Sequence, residues 1–325
     1  MSSLNRVSIL ITNYNKADFI QRFEENLGQL TKHEPEIIIV DDFSVDGSRE
    51  LLYKFVQKFP EVSLILNHKN LGSAASRNIA LQKATRDFVF FWDIDDQINI
   101  DELTHMSEHT FETYADICKG NFATISQKPS LKPSMSSSGY LMASIADNSN
   151  NIVEDMGYWR YLYRREFLSC NDIRFLPTLD QLRTNVFILD DVFFLIQVAS
   201  TNGRILNSVN RPPVYLYSAS KHTPQSWRNF QNQASSFAEA SIVCYRHMQQ
   251  NTSFSLDTAA PLLLQKSISH MNYLQLSQWK NSIVNFIKLT YLLKLDRNMQ
   301  LRLTLATLLK SIKNSISNLI HKQDS

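Results

Sequence analysis

The sequence predicts an α/β fold with a mostly parallel sheet, followed by an α-helical C-terminal region. The first observation is that short β-branched and aromatic runs alternate with helical patterns over the first hundred residues. Such alternation is typical of parallel sheets whose strands are joined by helices. The second is that three of these runs end in polar clusters. The third is a helical pattern from about residue 228 onward.

Four short apolar runs predict four strands. They are VSILI (7–11), IIIV (37–40), VSLIL (62–66) and FVFFW (88–92). Amphipathic helices are predicted after the first two runs, where apolar residues recur at near-helical spacing. The two apolar stripes comprise Phe19, Ile20, Phe23, Leu27 and Leu30 in one helix and Leu51, Leu52, Phe55, Val56 and Phe59 in the other.

The middle of the chain has a less regular pattern. Residues 126–150 are predicted to form a loop, because KPSLKPSMSSSG concentrates Pro, Ser and Gly. A mixed region follows over about residues 151–220, and it contains the apolar segment VFFLIQVA (192–199) and the turn NRPP (210–213). The sequence has no internal repeats.

The last part of the chain is predicted to be helical. Its clearest apolar stripe consists of Leu301, Leu305, Leu308, Leu309, Ile312, Ile316 and Leu319. We therefore predict an α/β domain over residues 1–227, with halves 1–100 and 101–227. Residues 228–325 are predicted to form a separate helical region.

Composition limits the class of protein. At 325 residues and 43% hydrophobic content, the chain can form one large domain or two ordinary ones, and its net charge of +2 gives no reason to expect nucleic acid. Cys118, Cys170 and Cys244 are odd in number and lack CxxC spacing, which argues against a disulfide framework and fits a reducing cytoplasm. No leader peptide or transmembrane run is recognisable, so any membrane contact is expected to be peripheral.

Three predicted strands end in polar clusters that would open onto one edge of the sheet. VSILI is followed by TNYN (12–15), IIIV by DDFS (41–44) and FVFFW by DIDD (93–96). In open α/β sheets ligands bind beyond the carboxyl ends of the strands, because loops and helix N-termini converge there. The sequence therefore predicts a binding site at this edge.

The residue types at this edge limit the ligand. The 7 glycines are dispersed, and neither GxGxxG nor GxxxxGK[ST] occurs, which disfavours a dinucleotide fold and a P-loop NTPase. Paired aspartates suit a hard divalent cation, Mg²⁺ or Mn²⁺, that bridges protein oxygens to the phosphates of a nucleotide. The alternative is that the acids are solvated turn residues that cap a strand.

Four motifs together resemble the N-terminal half of the family 2, inverting glycosyltransferases, which have the GT-A fold. They are VSILITNYN, IIIVDDFSVDGS, NLGSAASRNIAL and FWDIDD, in this order. The similarity continues less tightly in WRYLYRREFL (159–168), LDDVFF (189–194) and VYLYSASKHTPQSW (214–227). The resemblance implies that residues 1–100 bind a nucleotide sugar, most commonly a UDP-sugar, and that residues 101–227 bind the acceptor.

The resemblance assigns the nucleotide pocket to the first two strand ends. Thr12, Tyr14 and Asn15 would line it, with Tyr14 against the base. Of the pair Asp41 and Asp42, the second would accept a hydrogen bond from a uracil-type ring. The departure from the family pattern is Thr12, where many members have proline.

Basic residues are the expected partners of the diphosphate. Arg77 would reach the base or the diphosphate, and its alternative is an exposed helix cation. Arg164 and Arg165 could contact the diphosphate or shape the acceptor pocket, although basic pairs are usually solvated. His222 could touch the diphosphate or the metal, or simply be exposed. Trp159 and Tyr161, beside the arginines, could be ordinary core aromatics.

The DIDD cluster is the implied metal site. Asp95 would hold the ribose or the cation, Asp96 the cation, and Asp93 would be the first member of the DxD motif. The cation, Mn²⁺ or Mg²⁺, would neutralise charge on the leaving diphosphate. Which of the three acids binds it directly is left open.

Inversion requires a base that removes the acceptor proton as its oxygen attacks the anomeric carbon. The resemblance points to Asp191 in LDDVFF, with Asp190 where the family often has Glu. The alternative is that both are helix N-terminal acids favoured by the helix dipole.

The end of the chain carries an excess of basic residues. From residue 288 onward they are Lys288, Lys294, Arg297, Arg302, Lys310, Lys313 and Lys322, against Asp296 and Asp324. Such helices could lie on an anionic membrane, which would suit a lipid-linked glycan acceptor in capsule, O-antigen or lipopolysaccharide synthesis. Packing on the catalytic domain or on a second subunit is the alternative.

Two other functions remain open at this point. A nucleotidyltransferase shares a related sheet and also uses Mg²⁺, but it would be expected to carry a Gly-rich phosphate loop where this chain has TNYN. A non-catalytic binder of sugar nucleotides or glycans could retain the same fold, although DIDD together with a downstream acid pair argues for an enzyme.

Overall fold

The computed structural model describes residues 3–125, 139–154, 157–176, 190–218, 224–271 and 279–295. The chain divides into two compact units. The first comprises Met1–Phe175 and Asn202–Ser220, and the second comprises Leu176–Thr201 and Lys221–Ser325.

The first unit contains all eleven strands of the described chain. They are β1 (Val7–Asn13), β2 (Glu36–Asp41), β3 (Val62–Leu66), β4 (Phe88–Asp93), β5 (Gln97–Ile98), β6 (Ile117–Lys119), β7 (Asn121–Thr124), β8 (Gly139–Ser144), β9 (Tyr161–Arg164), β10 (Arg204–Val209) and β11 (Pro213–Tyr217). Its helices are α1 (Ile20–Leu30), α2 (Ser48–Lys58), α3 (Ser73–Lys83), α4 (Ile100–Glu112), α5 (Ser149–Glu154) and α6 (Arg165–Cys170). All four strands predicted from apolar runs are confirmed.

Eight strands form one sheet in the order β3-β2-β1-β4-β9-β6-β10-β8. The first four are mutually parallel, whereas β9 runs antiparallel to both of its neighbours and β8 antiparallel to β10. Strand β1 lies between β2 and β4, so the strand order reverses there. In open α/β sheets, ligands bind beyond the carboxyl ends of the strands at such a point. A second sheet has the order β5-β11-β7.

The register of the parallel strands brings the polar clusters together. Thr12 of β1 pairs with Val40 of β2 on one side and Asp93 of β4 on the other, and Asn13 pairs with Asp41. The apolar parts of the same strands are almost fully buried, because helices cover the sheet. The carboxyl ends therefore form one edge, as the sequence predicts.

The prediction of a loop over residues 126–150 is wrong for its second part. Strand β8 begins at Gly139, and helix α5 begins at Ser149. β8 lies at one edge of the large sheet and, among the described residues, pairs with β10 alone. Its sequence, GYLMAS, lacks the buried, β-branched run that makes a central strand recognisable. Residues 126–138, which carry the Pro- and Ser-rich cluster, lie outside the described residues.

The second unit is helical in its described part. Its helices are α7 (Asp190–Ala199), α8 (Pro224–Gln249), α9 (Leu256–Met271) and α10 (Trp279–Leu292). Helix α7 is buried along almost its whole length, and Phe193 stacks on Phe237 of α8 with ring centroids 5.0 Å apart. Within the described chain, no helix is both long enough and apolar enough to span a bilayer. The stripe predicted over residues 301–319 lies outside it.

Candidate functional site

Asp41 connects the loops that follow β1 and β2. Asn13 Nδ2 donates to Asp41 Oδ1 at 2.7 Å, and the Ser44 hydroxyl donates to the same oxygen at 2.5 Å. Arg49 Nε lies 3.0 Å from Asp41 Oδ2 and pairs with its charge. Because Asp41 is fully buried and surrounded by these donors, it holds the edge together.

Asp42 fixes the loop that precedes α3. Its Oδ1 accepts from Asn67 Nδ2 at 2.9 Å and from the Leu71 amide at 2.8 Å, and its Oδ2 accepts from the Gly72 amide at 2.8 Å. A carboxylate offers about four acceptor positions, so Oδ2 can accept one further hydrogen bond. This geometry is compatible with the predicted contact to the imide N–H of a base.

Tyr14 and Asn15 lie on the loop after β1. Tyr14 is 45% exposed, and Thr12 and Asn15 are half-buried. The Asn15 amide donates to Ser44 Oγ at 2.9 Å, and its side-chain Oδ1 accepts from the Val45 amide at 2.9 Å. The loop is therefore fixed at its base while the Tyr14 ring remains accessible.

Arg77 of α3 reaches the end of β4. Its Nη2 lies 3.4 Å from Asp93 Oδ1, and its guanidinium lies over the rings of Tyr158 and Phe175, 4.7 Å and 5.4 Å from their centroids. The Tyr158 hydroxyl donates to Asp93 Oδ2 at 3.5 Å. With a side chain only 12% exposed, Arg77 is not the exposed helix cation of the alternative interpretation.

Asp95 forms an ion pair that sequence analysis missed. Lys16 Nζ lies 2.5 Å from Asp95 Oδ2, and Arg22 Nη2 donates to the Asp95 carbonyl at 2.5 Å. Lys16 directly follows the TNYN cluster, and this position in the sequence could have indicated that Lys16 lies at the same edge. Its partner is 79 residues further along the chain, so only the fold shows the pair.

Asp96 faces the second sheet. It is 4% exposed, its Oδ2 accepts from the Tyr215 hydroxyl at 2.8 Å, and its Oδ1 accepts from the Ser218 amide at 2.6 Å. Burial, reinforced by Asp93 and Asp95, raises the pKa of Asp96 to about 7 although both hydrogen bonds lower it. Sequence analysis missed Tyr215, which also accepts from the Asp93 amide at 3.1 Å.

Arg164 and Arg165 lie at the opposite end of the sheet. Phe88, the first residue of β4, pairs with Arg164, and the Arg165 side chain donates through Nε to the Arg86 carbonyl at 2.7 Å. Five residue steps along β4 separate Phe88 from Asp93, roughly 16 Å. The structure therefore does not bring Arg165 to the polar edge, where its contact with the donor was predicted.

The aromatic residues near the arginines differ in environment. Tyr161 is fully buried and belongs to the core, as one interpretation predicted. Trp159 is half-buried, and its ring centroid lies 4.2 Å from that of Tyr215. Trp159 thus supports the tyrosine that binds Asp96.

Asp190 and Asp191 begin α7 in the second unit. The Val192 amide donates to Asp191 Oδ1 at 2.8 Å, and the Asp191 amide donates to Asp190 Oδ1 at 3.1 Å. Both carboxylates are half-buried in the first turn, where the helix dipole favours negative charge. The base role of Asp191 stays a prediction. The predicted contact of His222 with the diphosphate or the metal also stays a prediction, because His222 lies outside the described residues.

Comparison with known proteins shows which family the chain belongs to. Residues 8–173 match the family described as Glycosyl transferase family 2. The chain belongs to this family. The match includes all three polar strand ends, and it confirms the prediction of a glycosyltransferase.

Relatives of this family 2 glycosyltransferase occur in several bacteria. The cholesterol galactosyltransferase of Borreliella burgdorferi is 25% identical over 278 residues, which are 81% of this chain and 69% of that protein. The putative teichuronic acid biosynthesis glycosyltransferase TuaG of Bacillus subtilis is 32% identical over 106 residues, 33% of this chain and 42% of that protein. The chain thus spans less than half of TuaG.

Solved structures show the same fold. The crystal structure of S. aureus TarS 1-349 superposes with a TM-score of 0.67 at 18% identity and covers 98% of this chain and 92% of that chain. The complex of the same TarS fragment with UDP gives a TM-score of 0.66 at 19% identity, with the same coverage. These similarities confirm the predicted GT-A fold.

The acids of this family 2 chain differ in their fitness to hold a divalent cation. The side chains of Asp93 and Asp95 are 30% and 21% exposed, and each presents hard carboxylate oxygens. Both oxygens of Asp96 already accept hydrogen bonds from the protein. No group of three or more potential ligands is preassembled within the described residues. Asp93 and Asp95 are thus the more exposed acids that could hold a cation, and each is also paired with a basic side chain, Arg77 and Lys16 respectively.

Proposed function

We propose that this chain is an inverting glycosyltransferase that moves a sugar from a nucleotide-sugar donor to a hydroxyl of a glycan or lipid-linked glycan acceptor. The observation that carries the proposal is the meeting of Tyr14, Asp42, Arg77 and the DIDD carboxylates at one edge of the sheet in a family 2 chain. TarS, which shares the fold, has been crystallised with UDP and with UDP-GlcNAc, and this supports a UDP-sugar as the donor.

The donor would be held at its base and its diphosphate. In the proposal, the ring of Tyr14 packs against the base, and the remaining acceptor position of Asp42 Oδ2 takes a base N–H. Arg77 offers a planar guanidinium, already oriented by Tyr158, to the phosphate oxygens. Lys16, at the other side of the DIDD turn, adds a second positive charge.

A divalent cation, Mn²⁺ or Mg²⁺, would be held by Asp93 and Asp95 and would supply Lewis-acid neutralisation of the leaving diphosphate. Asp96, the third acid, would hold the DIDD turn in place through its hydrogen bond with the Tyr215 hydroxyl. Its sequence-based assignment as a direct ligand remains an alternative. Lys16 would exchange Asp95 for a phosphate oxygen when the donor enters.

Transfer needs a base at the acceptor. In the proposal, Asp191 removes the hydroxyl proton while the acceptor oxygen bonds to the anomeric carbon from the face opposite the diphosphate. The bond from that carbon to the phosphate oxygen breaks, and the configuration inverts. Asp190 would orient Asp191, whose amide it binds.

The biological setting is also part of the proposal. TuaG carries teichuronic acid biosynthesis in its name, and this supports a surface polysaccharide as the acceptor. The basic region after residue 288 would bring the enzyme to the anionic inner face of the membrane or to a second copy. Both contacts would concern the region 228–325 rather than the donor site.

The deciding experiment is a panel of nucleotide sugars tested by thermal shift and by mass spectrometry of donor hydrolysis, with Mn²⁺, Mg²⁺ or chelator. A ligand that binds only the folded state raises the melting temperature. We expect one UDP-sugar to give a cation-dependent shift that Asp93→Asn and Asp95→Asn both remove. If every sugar nucleotide leaves the wild-type melting temperature unchanged, the proposed transfer reaction is wrong.

A further inference from the structure

Phe43 has an unusual backbone conformation. Its φ is +65°, in the left-handed region, where the Cβ of an L residue approaches its own carbonyl group. Bulky side chains rarely occupy this region, whereas glycine does so freely. The sequence nevertheless places a phenylalanine at this position.

Hydrogen bonds fix the residues on both sides of Phe43. The Asp42 amide donates to the Asn13 carbonyl at 2.8 Å on one side, and the Ser44 amide donates to Asp41 Oδ2 at 3.1 Å on the other. Both neighbours are buried, so the loop cannot relax around Phe43. Strained residues of this kind persist where the surrounding structure determines them, and they cluster at ligand sites.

The fold gains little apolar burial from the strained residue. Phe43 is 40% exposed, and the guanidinium of Arg49 lies over its ring, 5.5 Å from the centroid. Arg49 is in turn paired with Asp41. The guanidinium over the ring orients the Phe43 side chain. A glycine at residue 43 would relieve the backbone strain without opening a cavity in the core.

A second exposed ring lies on the adjoining loop. Tyr14 follows β1 as Phe43 follows β2, and β1 and β2 are neighbours in the sheet. The two loops are joined by the hydrogen bonds of Asn15 to Ser44 and Val45. Two exposed aromatic rings on joined loops, beside Asp42, are suited to a planar ligand that both can contact.

We propose that Phe43 is a second stacking residue for the base of the donor nucleotide, held in a strained conformation so that its ring is oriented before the donor binds. The inference rests on the proposed function. Phe43 would strengthen the binding of the base and not that of the diphosphate. Stacking is tolerant of base identity because every base has a π face, so Asp42 would select the base and Phe43 would strengthen its binding.

The test compares wild type with Phe43→Gly, Phe43→Tyr and Glu34→Gly, using UDP and inorganic pyrophosphate as probes in isothermal titration with Mg²⁺. Glu34 is a matched control, because it is exposed and has a φ of +56° in a turn before β2. Phe43→Gly should weaken UDP binding at least about fivefold, the lower limit of one stacking contact. Its melting temperature should equal or exceed that of wild type, because the strain is relieved.

The other arms separate the possible explanations. Pyrophosphate has no base and should bind wild type and Phe43→Gly equally, while Phe43→Tyr should restore UDP affinity and Glu34→Gly should leave it unchanged. Equal UDP affinity in wild type and Phe43→Gly overturns the role of Phe43 but leaves the proposed function standing. A melting temperature that falls in Phe43→Gly also overturns it, because the ring would then serve the fold. A wild type that binds no UDP, GDP, CDP or ADP overturns the proposed function and this inference together.

Discussion

The Tyr215 hydroxyl donates to Asp96 at 2.8 Å and accepts from the Asp93 amide at 3.1 Å, so one fully buried tyrosine connects both ends of the DIDD turn. Tyr215 belongs to β11 in the three-stranded sheet, whereas Asp93 ends β4 in the eight-stranded sheet. The position of the predicted metal-binding turn therefore depends on the contact between two sheets.

We predict that Tyr215→Phe destabilises the protein by about 1–3 kcal/mol, because a buried carboxylate and a backbone amide each lose a partner. Urea denaturation followed by circular dichroism measures the change. Tyr217→Phe, at the exposed end of the same strand, is the matched control and should cost less than about 0.5 kcal/mol. Equal effects of the two substitutions would mean that the Tyr215 hydroxyl does not hold the turn.

The raised pKa of Asp96 predicts a pH dependence of stability. The pKa rises from 3.8 in the unfolded chain to about 7 in the folded protein, so the folded state favours the protonated acid. This contribution is fully present below pH 3.8 and is lost as the pH rises through about 7. Between pH 5.5 and 8, wild type should lose on the order of 2 kcal/mol relative to Asp96→Asn, which does not titrate.

The measurement is urea denaturation of both proteins across this pH range in the presence of chelator. The chelator matters because a cation near Asp93 and Asp95 would favour the ionised form of Asp96. A difference in stability between wild type and Asp96→Asn that stays constant with pH would show that Asp96 is already ionised at pH 5.5.

Local patterns were sufficient to predict the centre of the fold. β1, β2 and β4 are buried runs with polar ends, and burial on both faces makes such strands readable without knowledge of their partners. β8 was missed because its sequence, GYLMAS, has no β-branched residue and none of its residues is fully buried. The family resemblance then supplied the order of the motifs, which periodicity alone does not contain.

The residues of the site could be predicted only where they follow a strand that runs parallel to β1. Arg164 and Arg165 were expected to contact the diphosphate, to shape the acceptor pocket or to be solvated, and Arg165 was assigned to the donor site. β9 runs antiparallel to β4 and therefore carries them to the amino end of β4. Strand direction is a property of the whole sheet and leaves no mark in a four-residue segment. The pairs of Lys16 with Asp95 and Tyr215 with Asp96 were missed for a related reason, since long-range contacts have no local signature.

We predict that Arg77→Lys weakens UDP-sugar binding about tenfold or more while changing stability little. Lysine keeps the charge but loses both the planar fork for phosphate and the stacking on Tyr158 and Phe175. Isothermal titration measures the affinity, with Arg6→Lys as the control for an exposed arginine paired with Asp87. If Arg77→Lys binds the donor as tightly as wild type, the diphosphate is held by other residues.

Asp191→Asn separates catalysis from helix capping. If Asp191 is the base, the substitution should lower kcat by about 10²–10⁴-fold and leave the donor Kd unchanged, because proton removal is lost while the donor site is intact. Asp257→Asn is the matched control, since Asp257 is an exposed acid in the first turn of α9. That change should cost at most about 1 kcal/mol of stability and no activity.

The decisive readout is single-turnover transfer with a saturating UDP-sugar, alongside the melting temperature of each variant. A structural role alone predicts that Asp191→Asn and Asp257→Asn show the same small stability loss and the same kcat. A catalytic role predicts that only Asp191→Asn loses turnover, with a melting temperature near that of Asp257→Asn. A non-catalytic binder of sugar nucleotides would bind donor in every variant and transfer sugar in none, wild type included.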